Sequence, residues 1–203
     1  NNPPRPRPAL PPRIPGTGPW QQNSRFPVDQ TMLISRERSL LLIVDIQEKL
    51  APAIDQGAAA IINNQRLISA AQQLVVPVFV SEQYVKGLGA SVSAIKDVAV
   101  NAHFFEKIHF SCTRQPGVLE KLKATGRPQV ILTGMETHVC VLQTAMGLRE
   151  AGFDVFLVAN AASSRTPESR TLAIARMRDC GVHIVTTEMV LFEWLEQACT
   201  DDF

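Results

Sequence analysis

Three residues far apart in the chain have the chemistry of a nucleophile, a base and a charge-balancing partner. Cys140 lies in "LTGMETHVCVLQTAMGL" (132–148), where a strand-like run passes into a helix-like one. A thiol in the first turn of a helix feels the positive end of the helix dipole and nearby amide N–H groups, both of which favour the thiolate. Asp45 closes the apolar run "LLLIV", so its carboxylate is either an N-cap for a helix over "IQEKLAPAI" or an acid–base group. Lys107 stands in the apolar, strand-like segment "AHFFEKIHFSC" among aromatic residues, where an ammonium needs a partner or water. Each has an ordinary alternative: a small buried thiol, a helix cap, a lysine reaching out to solvent. Brought to one edge of a sheet, the three would form a nucleophile, its base and an electrostatic orienter.

The elements able to bring them together are legible as alternating patterns. Five short apolar runs rich in β-branched residues read as strands buried on both faces: 39–45, 76–81, 129–134, 154–159 and 182–187. Between them, 58–74, 137–152 and 166–181 carry helical periodicity, the last with Thr166, Pro167 and a terminal Gly181 as start and stop signals. Strand alternating with helix predicts a three-layer α/β/α domain built on a doubly wound, mostly parallel sheet. Ligands of such sheets bind beyond the carboxyl ends of the strands, which directs attention to Asp45, the segment 82–84, the segment 134–140 and Asn160.

Composition narrows the function classes. The chain has 203 residues, 45% of them hydrophobic, enough for one sizeable core. Residues 1–31 hold nine of the fourteen prolines and four arginines. This proline- and arginine-rich extension lacks the apolar residues to offset its ordering entropy, and it is expected to be disordered or foreign to the native protein, with the domain spanning 32–203. Removing those arginines and Asp29 from 20 basic and 19 acidic residues leaves 16 and 18. A body so near neutrality gives no nucleic-acid footprint, and no apolar run approaches the roughly 20 residues of a membrane span. Cys112, Cys140, Cys180 and Cys199 form no CxxC pair and read as reduced thiols, hence a cytoplasmic setting.

The segments "LLLIVDIQEKLAPAI", "KIHFSC" and "GMETHVCVLQTA" resemble the three signature blocks of the isochorismatase-like cysteine hydrolases. "SEQYVKGLG" and "SSRTPESRTLAIARMRDCGV" resemble the branch of isochorismatase domain-containing proteins. The resemblance implies a Cys140–Asp45–Lys107 triad in an amidase-type hydrolase that passes through an acyl-thioester. It also implies a cis peptide between Met135 and Glu136, with the backbone N–H groups of Glu136 and Cys140 forming an oxyanion hole. The Thr137 hydroxyl is then expected to bond somewhere other than the Cys140 N–H. Nicotinamidases of the family bind a metal through histidines after the second strand. Here that place has none, and His103, His109, His138 and His183 lack ligand spacing, so neither metal nor cofactor is expected. Gln83, Tyr84, Phe110 and His138 are expected to wall a pocket for a small carbonyl substrate. The apolar last helix, 189–198, and the family's habits point to a homo-oligomer. A catalytically silent scaffold with the same fold is the competing expectation.

Overall fold

The computed structural model describes residues 33–199. The proline- and arginine-rich extension assigned to residues 1–31 lies outside the described residues. Six strands form the sheet: β1 (Ser39–Val44), β2 (Val78–Gln83), β3 (His103–Lys107), β4 (Gln129–Met135), β5 (Asp154–Ser163) and β6 (His183–Val185). Their order is β3-β2-β1-β4-β5-β6, and every pairing is parallel. The sheet is therefore wholly parallel, with β3 as a sixth strand beyond the five apolar runs. The strand-like reading of the segment around Lys107 holds, but β3 stood apart from the apolar runs because it is an edge strand whose first four residues are exposed or half-exposed, so its sequence, HFFEK, is not uniformly apolar.

The helices are α1 (Gly57–Gln73), α2 (Val85–Leu88), α3 (Ser93–Lys96), α4 (Val118–Ala124), α5 (Leu142–Glu150), α6 (Pro167–Asp179) and α7 (Thr187–Leu195). Side chains alternate across a strand, and β1 shows what that does here. Leu41 and Ile43 join one core with Leu67 and Ile68 of α1 and Val190 and Trp194 of α7. Leu40, Leu42 and Val44 join the opposite core with Leu122 of α4, Ala145 and Leu148 of α5, and Met177 of α6. Burying each such large side chain contributes about 1.5–3 kcal/mol, so a strand apolar at every position is clamped from both sides. Thr166 caps α6 by accepting from the Ser169 N–H, with Pro167 at the first helical position.

Two expected helices differ. No α-helix begins at Asp45: before α1 the chain makes a bridge at Gln47 and a short 3-10 turn at Ala51–Ala53. The predicted helix 137–152 opens with a π-helical turn, Thr137–Val141, before α5 begins. Because all strands run the same way, the carboxyl ends of β3, β2, β1 and β4 lie side by side on one rim. Lys107, Gln83, Asp45 and the turn bearing Cys140 follow from those four ends.

Candidate active site

Asp45 is the first residue past β1, and the backbone turns there with φ +53°, a conformation aspartate tolerates better than most residues. Its N–H still reaches Ser81 O at 3.1 Å, while the Ser81 hydroxyl donates to Asp45 Oδ1 at 2.7 Å. With no α-helix beginning there, the capping alternative for Asp45 falls away. Its carboxylate is instead fully buried.

Lys107 ends β3 and does not reach solvent; its side chain has 0% exposure. Its ammonium donates to Asp45 Oδ2 at 2.7 Å, to Gln83 Oε1 at 2.6 Å and to the Phe110 carbonyl at 3.2 Å. An ammonium has three donors, and all three are used. This saturation is what makes burying the charge tolerable.

Cys140 enters from the other side. Gly134, just before the turn, has φ +116°, and a Cβ there would lie 2.0 Å from the Val44 carbonyl oxygen. Only glycine lets β4 press against β1 at this level. The Met135–Glu136 peptide is cis. In the π turn the Glu136 carbonyl accepts from Val139 and Val141, passing over the amide of Cys140. Cys140, buried at 7% exposure, lies near enough to Asp45 for the carboxylate charge to act on its thiol. Cys112, fully buried beside the same group, is a second thiol that sequence reasoning left unassigned.

The electrostatics correct one expectation. Burial, then the Asp45 charge, push the Cys140 thiol far above its ordinary range, and Lys107 only partly offsets them. The thiol is therefore protonated at rest. Burial of the sulfur outweighs what the dipole of this helical turn offers. Burial raises the Asp45 carboxyl, with Lys107 and Ser81 pulling it back down. Burial also pulls Lys107 down, but the negative charge of Asp45 and the neighbouring sulfurs outweigh it, so its pKa is raised. Cys112 is pushed up to about 11 by burial and the Asp45 charge.

The expected pocket residues divide. Gln83 is not a free wall: its amide holds Lys107 through Oε1 and donates to the Ile108 carbonyl through Nε2 at 2.9 Å. Phe110 gives Lys107 its carbonyl, while its ring is exposed. Tyr84 lines a cavity of about 350 Å³ together with Lys86, Glu106, Lys107, Ile108 and Gln115, among whose walls Phe110 and His138 are not found. His138 Nδ1 pairs with Ser164 Oγ at 3.0 Å, and Glu136 Oε2 accepts from the backbone N–H and Nε of Arg165 at 2.9 and 3.0 Å. These bonds fasten the segment after β5 to the turn that carries Cys140. Thr137 Oγ1 does not bond elsewhere as expected; it is buried without a hydrogen-bond partner. Among the described residues no group of three or more His, Cys, Asp or Glu could hold a metal ion.

Sequence reading missed the supporting polar groups: Ser81, Gln47 beneath Gln83, and Arg165. A signal for Ser81 existed, since parallel register places it beside Val44 at the end of β1.

Comparison with known proteins is consistent with this geometry. A profile of the isochorismatase domain matches residues 39–189. The chain is 39% identical over 171 residues to isochorismatase domain-containing protein 2 of Danio rerio, covering 84% of this chain and 85% of that protein. The solved structure of MAR1 ribonuclease from Caenorhabditis elegans superposes with a TM-score of 0.80 at 37% identity, covering 84% of this chain and 88% of that one. YcaC from Pseudomonas aeruginosa, solved with hexane-2,5-diol and covalent acrylamide, gives a TM-score of 0.78 at 26% identity over 83% of this chain and 85% of that one. A six-stranded parallel sheet, a cysteine turn after its fourth strand and a match spanning most of the body place this chain in the isochorismatase domain family.

Proposed function

We propose that the protein is a cysteine-dependent hydrolase of amidase type, acting on a small carbonyl compound. The observation that carries this reading is the fully buried Asp45–Lys107 pair beside the Cys140 thiol at the carboxyl rim of the sheet. A structural ion pair gains little from being buried, whereas a base held against a thiol has a use.

In this reading Asp45 takes the proton from Cys140 as the sulfur attacks the substrate carbonyl carbon. The proton must move in that step because the thiol is neutral at rest. Lys107 keeps its positive charge throughout and compensates whichever of Asp45 or Cys140 is anionic. The Glu136 and Cys140 N–H groups hold the oxyanion. Collapse of the tetrahedral adduct breaks the C–N bond, and Asp45 returns its proton to the departing amine. Water, deprotonated by Asp45, then hydrolyses the thioester and restores the thiol. None of these steps calls for a cofactor. The covalent acrylamide in the P. aeruginosa relative supports the reading, since acrylamide is an electrophile that thiols attack.

A cytoplasmic setting belongs to the same reading, supported by four cysteines that are all unpaired. No helix among the described residues is long and apolar enough to cross a membrane. Exposed Phe104, Ile108 and Phe110 around the β3 edge support self-association.

The test is a screen of small amides and related carbonyl compounds with the wild-type chain beside Cys140→Ala. RNA belongs in the screen because the C. elegans relative is named a ribonuclease. Turnover of an amide lost in Cys140→Ala is the expected result. Undiminished turnover in that variant rules out the nucleophile assignment, and turnover of nothing by the wild type leaves the silent scaffold.

A further inference from the structure

One buried polar element of the fold, Gln47, takes no part in the proposed chemistry. Gln47 is fully buried, two residues past the proposed base, and every polar atom of its amide is committed. Its Oε1 accepts from the Gln83 N–H at 2.7 Å. Its Nε2 donates to the Gln83 carbonyl at 3.0 Å and to the Gly89 carbonyl at 2.6 Å.

The reason lies in the sheet. Pairing of β1 with β2 ends at Val44 and Ser81, because the chain turns away at Asp45. In a parallel ladder, residues two apart present their N–H and C=O to the same neighbour. Ser81 O receives its bond from Asp45 N, so Gln83 turns its own N–H and C=O to the same side, where no strand remains. The Gln47 side chain fills that place and pairs both groups as a peptide unit would. Gln83 is thereby fixed on one flank by Gln47 and on the other by its register with Lys107. The side chain it projects is the one that grips the Lys107 ammonium at 2.6 Å.

We infer that Gln47 is a positioning residue for the Asp45–Lys107 pair: it completes the end of β2, so that Gln83 holds Lys107 against Asp45 and within reach of the Cys140 sulfur. The inference rests on the reading of Cys140, Asp45 and Lys107 as the reacting groups. The hydrogen bonds of the Gln47 side chain go to Gln83 and Gly89 and to none of the three reacting groups, yet they hold the backbone of Gln83, which is itself one of the three acceptors of the ammonium. Loss of a partner at this remove is expected to loosen the geometry, and displacements of an ångström are costly to catalysis.

The experiment uses the full chain and iodoacetamide, with labelling of each cysteine followed by peptide mass mapping at pH 9. Lys107 lowers the Cys140 thiol, so a displaced ammonium must make Cys140 less reactive. One pKa unit is a tenfold change in thiolate fraction. Gln47→Met, which keeps volume and removes all three bonds, is expected to slow Cys140 labelling about tenfold. Gln83→Met is expected to do the same, and the double variant to be no slower than either alone, since both act through one contact. General loosening would instead speed labelling, at Cys112 as well as Cys140. Cys140 labelling in Gln47→Met that equals or exceeds wild type, or a double variant whose effects add, overturns the inference. Should Gln47→Met not fold, Gln47→Glu keeps the bond from the Gln83 N–H and carries the same comparison. On a confirmed substrate, kcat is expected to fall with KM nearly unchanged. The labelling result does not depend on turnover, so hydrolysis retained by Cys140→Ala would sink the proposed reaction without deciding this inference.

Discussion

Lys107 Nζ lies 2.7 Å from Asp45 Oδ2, and neither side chain has any solvent exposure. Removing one member of such a pair strands the other charge in a dry site, at a cost of about 3–5 kcal/mol. Lys107→Met is therefore expected to be strongly destabilised in urea titrations at pH 8. Restoring neutrality with Asp45→Asn in the same chain should recover most of the loss. The sign with pH is fixed by Asp45: with the ammonium gone, its raised carboxyl rises further, and protonation relieves the stranded charge. Lys107→Met should consequently be closer to wild type at pH 5 than at pH 8. A single variant equally destabilised at both pH values would show that Asp45 is not the stranded group.

Activity carries its own pH signature. Asp45 works as a base only when ionised, and burial holds its carboxyl above the ordinary range. Activity is present above that raised pKa and is lost as pH falls through it. The acid limb of kcat/KM is thus expected above the roughly 3.9 of an unperturbed aspartate. Ser81→Ala removes the 2.7 Å bond to Oδ1, one of the contacts that lowers the carboxyl, and should move the limb upward. An unmoved limb in Ser81→Ala, on a substrate with wild-type turnover, would assign the limb to some other group.

Gly134 gives a structural prediction free of any substrate. A methyl at this position meets the Val44 carbonyl at 2.0 Å and the Val44 N at 2.6 Å, all of it backbone that cannot step aside. The glycine also holds φ +116°, where side chains are strained. Gly134→Ala is expected to cost about 4 kcal/mol or more, read as a collapse of the urea midpoint. Gly126→Ala, where the added Cβ meets nothing within 4 Å, serves as the control for backbone strain alone.

These cases show why some of the molecule was legible and some was not. The sheet was readable because Leu40 to Val44 are all apolar, and only burial on two faces selects such a run. β3 was legible only as a strand-like segment around Lys107, because at an edge the selection is lifted and His103 and Glu106 can face water. Asp45, Lys107 and Cys140 stood out as chemistry in apolar surroundings, and the parallel topology says which rim they share. Gln83 was marked as a pocket wall because a sequence shows that a polar residue ends a strand, not which partner it turns to. The protonation of Cys140 was misread for a related reason. A dipole is inferred from sequence position, whereas desolvation depends on packing by distant segments.

Cys112 supplies a test of that desolvation. Its thiol is pushed up to about 11 by burial and the Asp45 charge, whereas an unfolded cysteine ionises near 8.5. A group whose folded pKa is raised contributes stability that is fully present below the unfolded pKa and is lost as pH rises through the folded value. Wild-type stability is therefore expected to fall between about pH 8.5 and about 11. Cys112→Ala removes this titration, at the expense of a small cavity that costs the same at every pH. Its urea midpoint should start below wild type at pH 8 and decline less steeply toward pH 10. Parallel curves for the two proteins would show that the Cys112 thiol ionises as readily in the fold as outside it, and that the sulfur cluster around Asp45 is wetter than its packing indicates.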